Sequence, residues 1–135
     1  MTDKTQDQLA LVARILMIIL FLLSGLSKII GFTGTVGYIS SKGLPLAELG
    51  AVLAIVVEVG GALALALGFR TRAVATIMAL FTLAAGFLFH NFWAVPAAEV
   101  QVNQVMFLKN LSIAGGLLMF AAFGAGRLSL DGKKG

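Results

Sequence analysis

Four long apolar stretches constrain the fold of this chain more than any other feature. They cover Leu9–Ile30, Leu46–Phe69, Ala73–Trp93 and Val105–Phe123. A helix that crosses a bilayer needs about 20 mostly apolar residues, and each stretch is close to that length. Surface helices of soluble proteins keep a polar face, which these stretches almost entirely lack. We therefore predict an all-α integral membrane domain over residues 1–135, built as a four-helix bundle.

The composition supports a membrane protein and excludes other classes. Apolar residues make up 59% of the chain and charged residues 12%, whereas soluble domains carry roughly 25% charged residues. Such high hydrophobicity also excludes disorder. The chain has no cysteine and one histidine, so a protomer offers neither a thiolate ligand nor a two-histidine metal site. We expect no metal, no covalent cofactor and, since the cations lie along membrane edges, no nucleic acid partner.

The distribution of cations predicts the orientation of the helices. If both termini lie inside the cell, the inner side holds seven of the ten lysines and arginines. These are Lys4, Arg14, Arg70, Arg72, Arg127, Lys133 and Lys134, which leaves Lys28, Lys42 and Lys109 for the outer side. Cytoplasmic loops are rich in lysine and arginine. We therefore predict a multi-pass membrane protein with both termini inside.

Two segments outside the spans carry further expectations. In the first outer loop, Phe32, Val36 and Ile39 recur at helical spacing, which predicts a short interfacial helix over about residues 33–42. An irregular polar loop is the alternative. The charged tail Asp131–Gly135 is expected to be frayed.

Glu58 is the clearest candidate for a functional residue. It lies near the middle of the second apolar stretch, where an ionisable group costs ~2.5–3.5 kcal/mol on insertion scales. The carboxyl group must therefore be either protonated or paired with a cation. Arg14 and Lys109 are the two expected partners, and the three residues form a predicted buried charge network. A purely structural ion pair that fixes the register of the bundle is the alternative.

A second group of polar and aromatic residues gathers near the predicted outer surface. Such a group can line a cavity for an oxygen-bearing, planar ligand. Together with Glu58, the predicted binding residues are Lys28, His90, Trp93, Gln104, Lys109 and Asn110. The simpler interpretation is that the lysines extend to headgroups and the amides bond between helices. Known catalytic motifs are absent, and catalytic residues remain unassigned.

Several motifs, in this order and spacing, resemble the DoxX family of small inner-membrane proteins. The resemblance covers about residues 9–131. It rests on Arg14, Phe21–Ile29, Gly31-Phe32, Tyr38, Gly43, Pro45, Glu58 with Gly60-Gly61, Leu67-Gly68, Thr71-Arg72, Phe89–Trp93, Gln104, Phe107–Leu111 and Gly115-Gly116.

The resemblance implies a four-helix subunit associated with quinone-linked redox reactions, sulfur oxidation or oxidative-stress defence. The residues that it marks are Arg14, Lys28, Glu58, His90 and Lys109. Because the chain has no cysteine, electrons would have to come from a bound quinone or a redox partner protein.

Three functions therefore stay open at the level of sequence. The first is a membrane subunit that binds a quinone and serves a redox partner. The second is a non-enzymatic anchor or assembly subunit, and the third is a small transporter. A bundle of only four helices is also a candidate for homo-oligomerisation.

Overall fold

The computed structural model of the protein describes residues 1–134, and its regular elements there are all helical. They are α1 (Asp3–Ile30), α2 (Phe32–Ser41), α3 (Ala47–Ile55), a π-helical turn (Val56–Gly60), α4 (Gly61–Leu67), α5 (Thr71–Phe89), a 3-10 turn (Phe92–Ala94), α6 (Ala97–Phe123) and a 3-10 turn (Asp131–Lys134). The predicted all-α fold class is therefore confirmed.

Four of the helical segments are long and apolar enough to cross a membrane. They are Asp3–Ile30, Ala47–Leu67, Thr71–Ala94 and Ala97–Phe123. The fourth begins at Ala97 rather than at the predicted Val105. Hydropathy locates only the apolar part of a helix. The helix α6 starts earlier, directly after Pro96, and its first turn contains Glu99. An acidic residue in a first turn interacts favourably with the helix dipole.

The four spans pack as two helical pairs. α1 packs along α3, the π-helical turn and α4, while α5 packs along α6. The pairs meet mainly through α4 and α5, where Leu65, Met78 and Leu117 are fully buried. Among the described residues, α3 makes no comparable packing contact with α5. The two pairs therefore join at one end of the bundle and separate toward the other.

Both chain termini and the α4–α5 turn lie at the joined end, which we call the terminal end. There the Asp7 carboxylate accepts a hydrogen bond from the Arg127 backbone N–H at 2.8 Å, and Asp131 accepts from Arg70 and Thr71. The opposite end, called the loop end, carries α2 and the Phe92–Ala94 turn. α2 spans Phe32–Ser41, which is one residue earlier at each end than the predicted helix over about residues 33–42.

The C-terminal segment is docked against the terminal end. The Leu130 N–H donates to Leu67 O at 3.0 Å, and the Asp131 N–H donates to Gly68 O at 2.9 Å. The Asp131 carboxylate also caps α5 through two backbone N–H groups at 2.8 and 2.9 Å. The expectation of a frayed tail is therefore wrong for Asp131, because the free N–H groups at a helix start need acceptors. Gly135 lies outside the described residues.

Arg14 ties this segment to the bundle. Its side chain is fully buried (0% exposed). Nη1 donates to Ala66 O at 2.9 Å and to Leu65 O at 3.3 Å, and Nη2 donates to Leu128 O. Two of these carbonyls belong to the last turn of α4, where a cation also opposes the negative end of the helix dipole. Arg14 therefore binds backbone oxygens at the terminal end.

This contact generates a stability prediction. Arg14→Met keeps much of the apolar stem but leaves buried carbonyl oxygens without donors, so we expect a loss of about 2–5 kcal/mol in the free energy of unfolding. Unfolding in mixed detergent micelles, followed by circular dichroism, measures it. The exposed Lys4 provides a matched control, and equal stability of Arg14→Met and Lys4→Met would contradict the assignment.

The shared end of the two termini generates a topology prediction. With most cations there, we expect the terminal end in the cytoplasm. A periplasm-active reporter fused after the last residue should be silent, and one inserted at Ser41 should be active. The reverse pattern would show that the orientation is inverted.

Candidate functional site

A pair of opposite charges stands at the centre of the site. Glu58 is 6% exposed and belongs to the π-helical turn. Lys28 Nζ lies 3.1 Å from Glu58 Oε1 and 3.0 Å from Oε2. The structure therefore corrects the predicted charge network, because neither Arg14 nor Lys109 is the partner of Glu58. Arg14 lies too far toward the terminal end, and its Nη1 and Nη2 atoms donate to backbone carbonyls.

Ser24 completes this cluster from the same helix as the lysine. Lys28 Nζ donates to Ser24 Oγ at 2.7 Å, and Ser24 Oγ donates to Glu58 Oε1 at 3.3 Å. Residues four apart face the same side of a helix, so Ser24 and Lys28 together approach one carboxylate. Ser24 was not predicted as a binding residue, although its spacing of four residues from Lys28 indicates a shared helix face.

A close helix contact and a helix defect position Glu58. A Cβ atom at Gly25 would lie 2.5 Å from Val59 Cγ2 and 3.1 Å from Glu58 Cβ. Only glycine therefore allows α1 to approach the π-helical turn this closely. π-helical turns are rare and occur frequently at functional sites. This turn was not predicted, since hydrophobic periodicity does not distinguish one widened turn within an apolar helix.

The Lys28–Glu58 pair faces a cavity of about 830 Å³. The cavity lies where the two helical pairs separate, and α1, α2, α3, α5 and α6 all contribute to its lining. Most of the lining is apolar. The polar and ionisable residues in it are Ser24, Ser27, Lys28, Thr35, Tyr38, Glu58, Thr82, His90, Lys109 and Asn110. Five of the predicted binding residues, Lys28, Glu58, His90, Lys109 and Asn110, therefore line one cavity.

The wall formed by α5 and α6 carries a second polar group. Asn110 Nδ2 donates to Thr82 O at 3.0 Å and thereby joins the two helices. Lys109 Nζ lies 3.5 Å from Met106 Sδ. His90 caps the end of α5 and has Lys109, Asn103 and Lys42 around it. These groups can donate hydrogen bonds to an oxygen atom opposite the Lys28–Glu58 pair.

Tyr38 forms part of the rim of the cavity and was missed as a binding residue. Its ring stacks on Phe89 with centroids 5.6 Å apart and an interplanar angle of 27°. The Lys42 ammonium group lies 5.6 Å from the Tyr38 ring centroid. The stacking of Tyr38 on Phe89 joins α2 to the end of α5. The position of α2 across the bundle could not be predicted from hydrophobic spacing, which describes only the faces of a single helix.

Two predicted binding residues, Trp93 and Gln104, are not among those that line the cavity. The Trp93 ring packs on Phe87, Phe92 and Phe107, with centroids 5.2 to 5.9 Å apart. Edge-to-face contacts of this kind are favourable among aromatic rings. Gln104 precedes Lys109 by five residues, which places it about 140° around the helix, and it is exposed.

The ion pair generates a testable stability pattern. Lys28→Met leaves the buried Glu58 carboxylate without its cation, so we expect a loss of about 1–3 kcal/mol in the free energy of unfolding. Lys28→Met combined with Glu58→Gln removes both charges and should recover at least half of that loss. Unfolding in mixed micelles measures both variants. A double variant that is no more stable than Lys28→Met alone would contradict this coupling.

Comparisons with known proteins now identify the family. The DoxX family model matches residues 9–91. The chain is 46% identical to inner membrane protein YqjF of Escherichia coli, covering 95% of this chain and 93% of that protein. It is 41% identical to inner membrane protein YphA of the same organism, covering 91% of this chain and 88% of that protein.

A more distant match links the chain to a longer protein. It is 26% identical to the ER-derived vesicles protein ERV29 of Saccharomyces cerevisiae, over 98% of this chain but 36% of that protein. No solved structure matches the chain. The family match covers more than half of the chain and the bacterial relatives match nearly end to end. The protein therefore belongs to the DoxX family and is a multi-pass protein of the inner membrane.

Proposed function

We propose that the protein binds a quinone-type ligand in the cavity at the loop end and serves a redox partner protein in the membrane. The observation that carries the proposal is the convergence of two polar walls on one mainly apolar cavity. One wall presents Lys28 and Glu58, and the other presents His90, Lys109 and Asn110.

The size and lining of the cavity support a ligand of this class. Its volume of about 830 Å³ falls within the roughly 300–1,000 Å³ typical of small-molecule sites. Phe21, Leu88 and Phe89 provide apolar surface for a ring and the first part of an isoprenoid tail. Such sites combine an apolar lining with a few polar groups that fix orientation.

The polar groups suit both redox forms of such a ligand. A bound quinone would supply two-electron, two-proton chemistry inside the bilayer. Lys28, Lys109 and Asn110 can donate hydrogen bonds to carbonyl oxygens, while the Glu58 carboxylate can accept one from a hydroxyl group. Glu58 is also the one acidic side chain in the cavity lining. We assign it the role of accepting a proton from the ligand, with the Lys28 ammonium group 3.0 Å from its carboxylate.

The two other functions receive less support. A transporter needs a polar path to both faces, whereas Leu65, Met78 and Leu117 fill the core between the cavity and the terminal end. An anchor or assembly subunit needs no cavity with opposed polar walls. We therefore prefer a quinone-binding subunit to the other two functions.

The proposal predicts a specific pattern of affinities. Loss of a charge-assisted hydrogen bond weakens binding by about 1.5–3 kcal/mol, which is roughly ten- to a hundredfold. His90→Ala and Lys109→Met should each weaken binding of a short-chain ubiquinone analogue in nanodiscs by that amount. Quenching of the single tryptophan reports binding.

Gln104→Leu provides the matched control, because Gln104 lies on the same helix as Lys109 but outside the cavity lining. Its affinity should equal that of the parent. Equal affinities for the parent, His90→Ala and Lys109→Met would contradict the proposed site, and the anchor would then be the better interpretation.

A further inference from the structure

The charges that face the cavity do not cancel. Lys28 and Glu58 neutralise each other across 3.0 Å. Another ion pair joins Arg127 and Asp3 at the terminal end, 3.9 Å apart. Lys109 therefore faces the cavity without a carboxylate, and its hydrogen-bonding contact is the Met106 thioether sulfur at 3.5 Å. A thioether is a weak acceptor for an ammonium group.

The groups near Lys109 supply no negative charge. His90 lies beside it at the end of α5, and Lys42, the residue that follows α2, also faces His90. The C-terminal end of α5 opposes them, but a helix terminus carries only about half an elementary charge. The Asn110 amide adds a donor on the same wall, although it is engaged with Thr82 O. The α5–α6 wall therefore stays net positive.

An unpaired ammonium group at this depth has a physical cost. Lys109 lies four residues past Val105, where the apolar part of α6 begins, or about 6 Å at 1.5 Å per residue, and its side chain is half-buried. Ionisable residues inside membranes almost always pair with an opposite charge or a backbone carbonyl. Glu58 is not available as the partner of Lys109, because it is already paired with Lys28. Lys109 is therefore available to a negative charge that enters the cavity.

We propose that the ligand of this cavity is an anionic amphiphile, whose ring carries an acidic, ionised oxygen that binds the Lys109 ammonium group. The inference rests on the proposed function and specifies the chemical class of the ligand. The apolar lining holds the ring and tail, and the α5–α6 wall holds the ionised oxygen. The Lys109 ammonium group then forms both an ion pair and a hydrogen bond with the ionised oxygen of the ligand.

A pair of probes that differ in one charge tests this assignment. A 3-alkyl-2-hydroxy-1,4-naphthoquinone is ionised at neutral pH, and its 2-methoxy derivative is not. In nanodiscs, the parent should bind the hydroxy compound at least about tenfold more tightly. That preference should disappear in Lys109→Met, persist in Lys109→Arg, and persist in the control Gln104→Leu. Comparing the ratio between variants cancels the different partitioning of the probes into lipid.

The outcomes separate the two proposals. Equal binding of both probes by the parent would overturn the anionic ligand and leave a quinone-type ligand standing. Binding of neither probe would overturn both proposals. A preference that survives unchanged in Lys109→Met would show that another group recognises the charge, which overturns the role of Lys109.

A third probe distinguishes a ring-bearing anion from a lipid carboxylate. Laurate offers the same negative charge on an alkyl chain without a ring. We expect laurate to displace the hydroxy-naphthoquinone only at much higher concentration. Displacement at similar concentrations would assign the site to a fatty-acid-like anion and overturn the ring-bearing class.

Discussion

A carboxylate inside an apolar span is the constraint on which the loop end of this protein depends. Glu58 must be neutralised where water is scarce, and Lys28 and Ser24 reach it from one face of α1. The contact is only feasible because Gly25 lets the two helices approach closely. Together these contacts hold α1 against the π-helical turn and direct the ion pair toward the cavity.

The two ends of the bundle use their cations differently. At the terminal end, Arg14 binds backbone carbonyls and the docked C-terminal segment, which joins the helical pairs. At the loop end the pairs separate, and Lys28, Lys109 and His90 face the resulting cavity. The bundle thereby contains a cavity at the loop end and a packed apolar core toward the terminal end.

Much of the architecture was predictable because lipid imposes simple rules on sequence. Apolar length fixes the number of spans, and the cost of intramembrane charge singles out Glu58. The partner of Glu58 was not predictable, since depth alone did not separate Arg14 from Lys109 and placed Lys28 with the polar group near the outer surface. The π-helical turn and the outward packing of Trp93 depend on contacts between helices. The C-terminal segment is docked because the Asp131 carboxylate accepts hydrogen bonds from the first backbone N–H groups of α5. The charged composition of this segment does not indicate such a contact.

Analysis of small molecules retained by the purified protein tests the central claim most directly. The protein would be purified in mild detergent, passed through gel filtration, extracted with organic solvent and examined by absorbance and mass spectrometry. Ala85→Phe, which places a ring into the cavity lining, provides the matched variant. We predict a quinone-type compound at near-stoichiometric amounts in the parent and a clear reduction in Ala85→Phe. Absence of such a compound from the parent, or equal amounts in both proteins, would contradict a ligand-binding cavity at the loop end.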